Sequence, residues 1–215
     1  GSLIGDNNDL TLNFTTETAI AGDGNGINNL TVVGPAVLGA SVTTIGSQEY
    51  QSPVTLSAAT TLIGTSGTFT GGLDGNENDL TLDFSDVTTI DGSSTFSNLG
   101  NLTSKGDVVL NSTITTSGSQ TYEQNVALSG ATIVVGQNGT FGGPIAGNNN
   151  DLTLNFTDTT TITGSQLQDI HNLIVGGGGS IETSGVVSTT GSQQYLDDIV
   201  LTDNTTLLSG SATIS

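Results

Sequence analysis

The sequence predicts an all-β fold, a single-stranded parallel β-helix in which short strands joined by tight corners coil into a solenoid. Three observations predict it: the composition, a long internal repeat, and a shorter repeat within it. The 215 residues include 31 Gly and no Cys, Met or Trp, and Thr, Ser, Asn, Leu, Ile and Val supply most of the rest. Thr, Val and Ile suit a pleated surface, whereas Gly and Asn tolerate positive φ. This mixture favours short strands between tight corners.

The long repeat is the second observation, because three phrases recur at separations of about 70 residues, as expected of a repeat architecture. The DLTLNF-type phrases begin at Asp9, Asp79 and Asp151, the GSQxY phrases at Gly46, Gly118 and Gly191, and the GTF phrases end at Phe69, Phe141 and, degenerated to ATI, at Ile214. The chain therefore divides into three long units, residues 1–70, 71–142 and 143–215. We expect them to form one continuous segment, 1–215.

The third observation is a shorter repeat of a polar residue followed by an apolar-x-apolar strand start. Its steps are unequal and average roughly two dozen residues, a length typical of solenoid repeats. Its first apolar positions are Leu10, Leu30, Val54, Leu80, Leu102, Val126, Leu152, Leu173 and Ile199. These positions predict about nine coils, three in each long unit. Parallel strands about 4.8 Å apart would then give a rise of roughly 43 Å.

Each coil has an inward and an outward side. Alternation along the strand predicts that Leu80, Leu82 and Phe84 point inward, as do Leu10, Leu12 and Phe14 of the first unit. A coil of this length cannot bury its apolar side alone, so it must stack on its neighbours. The core is predicted to be a column of Leu, Ile, Val and a few Phe.

The charge balance limits the partners. Twenty acidic residues accompany one Lys, one His and no Arg, for a formal net charge of −19. Binding to nucleic acid or to anionic membranes depends on Lys and Arg, so both are excluded, and no apolar stretch is long enough for membrane insertion. The remaining partners are neighbouring repeats of the same chain, other copies in a filament, and host or matrix glycans.

Catalysis is not expected. His171 and Lys105 occupy non-equivalent positions of the repeat, whereas a catalytic site needs its groups to converge on one pocket. Carboxylate pairs such as Asp83 with Asp86, or Asp197 with Asp198, have the chemistry of glycoside hydrolysis. With 20 acids on a solenoid, neighbouring carboxylates are expected by chance. A polysaccharide-active β-helix enzyme is therefore a remote alternative.

The acidic, Asn-rich corners offer oxygen ligands of the kind that calcium prefers. No other cofactor is indicated. The candidate calcium ligands are Asp74, Asn76, Asn78 and Asp79 in the second unit, and Asp6 and Asp9 in the first. The alternative is that these Asn and Asp residues fill left-handed corners and stack as hydrogen-bonded ladders between coils. Both interpretations stand at this point.

Three tyrosines, Tyr50, Tyr122 and Tyr195, recur once per long unit. We expect them to pack inside the corners, and the alternative is that they are sugar platforms or contacts between fibres. A carbohydrate-binding module is therefore the second function to consider, although three Tyr and six Phe supply few aromatic side chains for it.

The LTL-type strand starts, the TTxGSQxY-type phrases at Thr44, Thr116 and Thr190 and the NNDLTLNF-type corners resemble the repeat region of filamentous-haemagglutinin-type exoproteins. These are large bacterial adhesins exported by two-partner secretion, and related giant surface proteins share the pattern. The resemblance covers essentially the whole chain. It implies a right-handed parallel β-helix, a secreted or cell-surface location, and an adhesive or scaffolding role. We therefore expect a rigid, non-enzymatic fibre segment of a bacterial surface or biofilm-matrix adhesin.

Overall fold

A computed structural model describes residues 2–92, 94–164 and 166–215. These residues form an all-β structure without helices, in which 29 strands pair in parallel and stack as a β-solenoid of about ten turns. The predicted fold class is confirmed. Each turn passes through three strand positions, which we call face 1, face 2 and face 3 in chain order.

Face 1 is a sheet of eleven strands, one for each level of the solenoid. Its strands are β2 (Thr18–Ile20), β4 (Ala36–Leu38), β7 (Val54–Leu56), β10 (Leu73–Asp74), β13 (Phe96–Leu99), β16 (Thr113–Thr116), β19 (Thr132–Gly136), β22 (Leu152–Phe156), β25 (Leu173–Gly176), β27 (Ser192–Tyr195) and β29 (Ser211–Ile214).

Faces 2 and 3 belong to one eighteen-stranded sheet, because four long strands run across both faces. The long strands are β1 (Leu3–Leu12), β3 (Gly24–Val32), β26 (Ser180–Ser188) and β28 (Asp198–Leu208). Face 2 also contains β5 (Val42–Thr44), β8 (Thr60–Gly64), β11 (Leu80–Phe84), β14 (Leu102–Ser104), β17 (Gln120–Tyr122), β20 (Gly139–Phe141) and β23 (Thr159–Thr163). Face 3 also contains β6 (Gln48–Tyr50), β9 (Gly67–Phe69), β12 (Val87–Ile90), β15 (Asp107–Leu110), β18 (Val126–Leu128), β21 (Ile145–Ala146) and β24 (Leu167–Gln168).

The strand register gives the true length of a turn. On face 3, Leu10 pairs with Leu30, Leu30 with Gln48, and Gln48 with Gly67. One turn therefore takes about 20 residues, a length found among solenoid repeats. Inward side chains are buried at nearly every level, so a single apolar core runs along the axis.

The nine predicted strand starts do not lie on one line. Leu30 is on face 3, where it pairs with Leu10 and Gln48. Val54 is on face 1 between Ala36 and Leu73. The longer predicted steps, such as that from Leu30 to Val54, exceed one turn because each includes an additional strand. The count of nine coils is therefore not confirmed, and eleven levels stack on face 1.

The long unit and the turn are out of phase. From one DLTLNF-type phrase to the next the chain makes three full turns and two thirds of a fourth, so each unit is displaced by one face from the unit before it. The phrase accordingly lies in β1 on face 3, in β11 on face 2, and in β22 on face 1. Three units make eleven levels, after which the phrase returns to its first face.

The inward residues of the first turn differ from the prediction. Phe84 and Phe156 are each 1 % exposed, but Phe14, which occupies the same place in the first unit, is 53 % exposed. Leu10 and Leu12 are only partly buried against the core. The reason is that β1 has a neighbouring strand, β3, on one side only.

Candidate functional site

The Asp and Asn residues beside the strand starts form ladders that link three successive levels. Asp79 Oδ1 accepts hydrogen bonds from the backbone N and side-chain Nδ2 of Asn101, at 2.8 and 2.9 Å. Asn101 Oδ1 in turn accepts a bond of 2.8 Å from Ser119 N. The same three-residue ladder recurs in the other units as Asp9–Asn29–Ser47 and Asp151–Asn172–Ser192.

The ladders of the first and third units favour the ionised form of Asp9 and Asp151. Hydrogen bonds from the side chains of Asn28 and Asn29 lower the pKa of Asp9. For Asp151, burial acts to raise the pKa, but hydrogen bonds from His171 and Asn172 outweigh it and leave the pKa below its usual range. Because each unit is displaced by one face, one ladder stands on each side of the solenoid.

The corner that precedes each DLTLNF-type strand has a left-handed backbone. In the second unit Asn76 and Glu77 have φ of 47° and 65°, a conformation that Asn tolerates and most residues avoid. Asn78 Nδ2 stabilises the corner by donating to the carbonyls of Gly75 and Asn76 at 3.1 and 3.0 Å. The predicted use of Asn and Asp as corner residues is therefore confirmed. Asp6 and Asn7, and Asn148 and Asn149, have the same backbone conformation.

The candidate calcium ligands separate into corner and ladder residues. Asp74 Oδ1 accepts bonds from Asn76 N at 3.0 Å and from Asn98 Nδ2 at 3.1 Å. With Glu77, these residues line a surface depression of about 440 Å³. Asp79 instead belongs to a ladder, as Asp9 does in the first unit, while Asp6 lies in the first unit's corner. Asn78 directs its amide nitrogen at backbone carbonyls.

No cluster of three or more His, Cys, Asp or Glu side chains placed to hold a metal ion occurs among residues 2–92, 94–164 and 166–215. Calcium binding at the corners stays the alternative interpretation, since the Asn and backbone oxygens there are also suitable ligands.

The three tyrosines are core residues. Tyr50, Tyr122 and Tyr195 are each at most 1 % exposed. Their expected alternative role as sugar platforms or contacts between fibres is therefore wrong, and internal packing is their role. Tyr50 stacks on Phe69 of the next turn with ring centroids 5.0 Å apart and planes 7° apart. Tyr50 and Phe69 both point inward from their strands. The GSQxY and GTF phrases lie one turn apart along the chain, and this spacing could have indicated that the two rings meet.

A buried glutamine accompanies each tyrosine, and sequence reasoning missed it. Gln48, Gln120 and Gln193 are at most 1 % exposed, although Gln is usually a surface residue. The signal was the QxY spacing, because residues two apart in a strand share a side. Because the tyrosine points inward, the glutamine two residues earlier points inward too.

The two cationic candidates form separate surface pairs with acids of the preceding turn. Lys105 Nζ donates a hydrogen bond of 2.7 Å to Asp83 Oδ2, and this bond raises the pKa of Lys105. His171 Nδ1 lies 2.8 Å from Asp151 Oδ1. Asp83, Asp86 and Lys105 line a surface depression of about 310 Å³. Within it, Asp83 is paired with Lys105. The structure places Lys105 and His171 on different turns.

No protein-family model, curated protein or solved structure gives a significant match to the chain. Within the described residues there is no helix long and apolar enough to cross a membrane.

Proposed function

We propose that this chain is a structural segment of an extracellular fibre, a rigid rod or scaffold of a bacterial surface or matrix adhesin that acts without catalysis. The observation that carries the proposal is the unbroken parallel stacking on face 1, where eleven strands follow one another. At about 4.8 Å per strand, ten intervals span roughly 48 Å. Every turn is hydrogen-bonded to its neighbours, so the segment resists bending.

The surface supports a scaffold better than a carbohydrate-binding module. Sugar sites commonly present an exposed aromatic ring beside convergent polar groups. All three tyrosines and five of the six phenylalanines are buried here, and Phe14 is the exposed one. Phe14 lies at one end of the solenoid. The side of the solenoid presents threonines instead of aromatic rings. On face 2, Thr61, Thr81 and Thr103 lie on consecutive turns and pair in register.

The charge pattern determines how separate rods interact, while the extracellular location is what the resemblance to secreted adhesins implies. A net charge of −19 on 215 residues keeps separate rods apart at low ionic strength, and salt or divalent cations screen that repulsion. Part of this negative charge lies in the ladders, where Asp9 and Asp151 accept hydrogen bonds in their ionised form. Extracellular calcium would then act on the fibre mainly as a screening ion.

The proposal is tested by exposing the folded chain to a glycan array and to a panel of acidic and neutral polysaccharides. We expect no saturable glycan binding and no release of reducing ends. Saturable binding to one glycan class that is lost on heat unfolding would replace the scaffold by a carbohydrate-binding module. Turnover of any polysaccharide would contradict the non-enzymatic role.

A further inference from the structure

The sequence contains two Asn-Gly pairs, Asn25–Gly26 and Asn138–Gly139. An asparagine followed by glycine is prone to deamidation, because glycine has no side chain to hinder attack of its backbone nitrogen on the asparagine amide. The attack needs a backbone that can rearrange and a side-chain amide that is not held elsewhere. The structure provides both conditions at the first pair and neither at the second.

The first pair forms a bulge in β3. The register of β3 with β5 shifts between Gly24 and Ile27, so the two intervening residues, Asn25 and Gly26, lie opposite Thr43 alone. A bulge interrupts the hydrogen-bonded ladder and leaves one residue unpaired. Gly26 has a φ of 64°, a left-handed conformation that glycine adopts readily. Because β3 pairs with β1 on one side and β5 on the other, the bulge lies inside the stack.

The side chain of Asn25 is free to react. It is exposed, next to the buried Gly24 and Ile27 of the same strand. It makes no hydrogen bond among the described residues. Nothing therefore holds its amide away from the nitrogen of Gly26, and water has access to the same atoms.

The second pair is held in place on both sides. Gly139 begins β20 and pairs with a residue of each neighbouring turn. The ring of Phe156 covers it so closely that an added Cβ would lie under 3.0 Å from the ring. Asn138 Oδ1 accepts a hydrogen bond of 3.4 Å from Thr159 N. The carbonyl of Asn138 accepts one of 2.8 Å from Gln120 N. The backbone here cannot turn its nitrogen onto the asparagine amide.

We propose that Asn25 is a site of spontaneous deamidation in the folded protein and that the fold protects Asn138 from the same reaction. The nitrogen of Gly26 loses its proton and attacks Cγ of Asn25. A new C–N bond forms, and the side-chain nitrogen leaves as ammonia. Water then opens the succinimide ring, giving aspartate when the new bond breaks and isoaspartate when the original peptide bond breaks. The net reaction consumes one water and releases one ammonia.

The reaction changes the charge of the rod while preserving its fold. Each event adds one negative charge to a chain whose net charge is −19, two residues after Asp23. Isoaspartate also inserts one carbon into the main chain. A bulge accommodates this better than a paired strand does, because its extra residue is already outside the ladder. Negative charge at this corner therefore increases with the age of the protein.

Peptide mapping by mass spectrometry, during prolonged incubation of the folded protein at neutral pH, tests the proposal. We expect Asn25 to deamidate at least tenfold faster than Asn138. In concentrated guanidinium chloride, where both Asn-Gly pairs are equally free, the two rates should lie within threefold of each other. Equal rates in the folded protein, or a faster reaction at Asn138, would overturn the proposal. So would an Asn25 that reacts at least tenfold more slowly in the folded protein than in the denaturant.

A matched pair of variants assigns the added charge to its residue. Asn25→Gln removes the site, because the longer side chain closes its ring slowly, and Asn138→Gln is the control. Native isoelectric focusing should show an acidic band that accumulates with time in the unmodified sequence and in the control. The band should migrate with fresh Asn25→Asp protein and should be absent from Asn25→Gln. Equal accumulation of the band in Asn25→Gln and in the control would contradict the assignment.

Discussion

The hydroxyl of Tyr122 donates a hydrogen bond of 2.7 Å to Oε1 of Gln120, two residues earlier in the same strand. The amide nitrogen of Gln120 then donates to the carbonyl of Val135 in the next turn, also at 2.7 Å. The pairs Tyr50–Gln48 and Tyr195–Gln193 repeat the arrangement. Each long unit therefore contains one satisfied polar network within an apolar core, and each network lies on a different face.

The buried tyrosines predict unfolding at alkaline pH. Burial raises the pKa of all three, that of Tyr195 to about 12. A raised folded-state pKa stabilises the protein fully below the unfolded value of about 10, and this contribution is lost as pH rises through the folded value. Tyrosinate absorbance and circular dichroism should therefore change together above the unfolded value. A tyrosine that ionises near its ordinary pKa while the strand signal persists would contradict this burial.

The ladders predict a stability loss when their central asparagine is removed. Asn101→Ala deletes the side-chain bonds with Asp79 and Ser119, and we expect a loss of about 1 to 2 kcal/mol in the free energy of unfolding. Urea unfolding measures it. Asn155→Ala is the control, because Asn155 is an exposed strand residue whose side chain makes no hydrogen bond among the described residues. Equal losses for both variants would show that the ladder adds nothing.

The close approach of Phe156 to Gly139 predicts that this glycine cannot be enlarged. An added Cβ would lie under 3.0 Å from the ring, so Gly139→Ala should lower the free energy of unfolding by about 1 to 3 kcal/mol. Gly24→Ala is the control, because there the nearest atom is Val42 Cγ1 at an ordinary 3.5 Å. Thermal melts of both variants check the prediction. A Gly139→Ala protein as stable as the control would mean that the ring is not seated on the glycine.

The ladders also predict how the protein responds to calcium. Because ladder carboxylates such as Asp79 are already hydrogen-bonded, we expect calcium to raise the melting temperature no more than magnesium does at equal ionic strength. A specific corner site would instead stabilise by mass action at sub-millimolar calcium. Melts in matched calcium and magnesium series separate the two. A calcium-specific rise that Asp74→Asn abolishes would establish the corner site.

The sequence was sufficient for the fold class but not for the length of a turn. The alternation in Leu80–Phe84 predicted a strand with one buried side, and the structure has it. The same pattern, however, marks strands on all three faces, so it could not tell Val54 on face 1 from Leu30 on face 3. Pairing between strands decides the face, and pairing depends on the whole stack. The right-handed sense of the coil stays a prediction of the resemblance.

The candidate site was predictable in its residue types and not in its geometry. Asp9 and Asp79 were identified from composition at the corners, but their partners Asn29 and Asn101 lie one true turn further along the chain. Aligning the sequence with itself at a spacing of one turn would have placed each Asp beside its Asn partner. The burial of Tyr50 was obscured because tyrosine is equally common at binding surfaces and in cores.

Disulfide formation within one chain tests the central claim most directly, which is that a turn takes about 20 residues and each unit moves to a new face. The chain has no native cysteine, so introduced pairs are unambiguous. Thr31 pairs with Glu49 on face 3, and Thr55 lies on face 1. Thr31→Cys with Glu49→Cys should link rapidly under mild oxidation, and Thr31→Cys with Thr55→Cys should not. The opposite result would restore the longer coils, in which Val54 stacks directly on Leu30, and contradict the account.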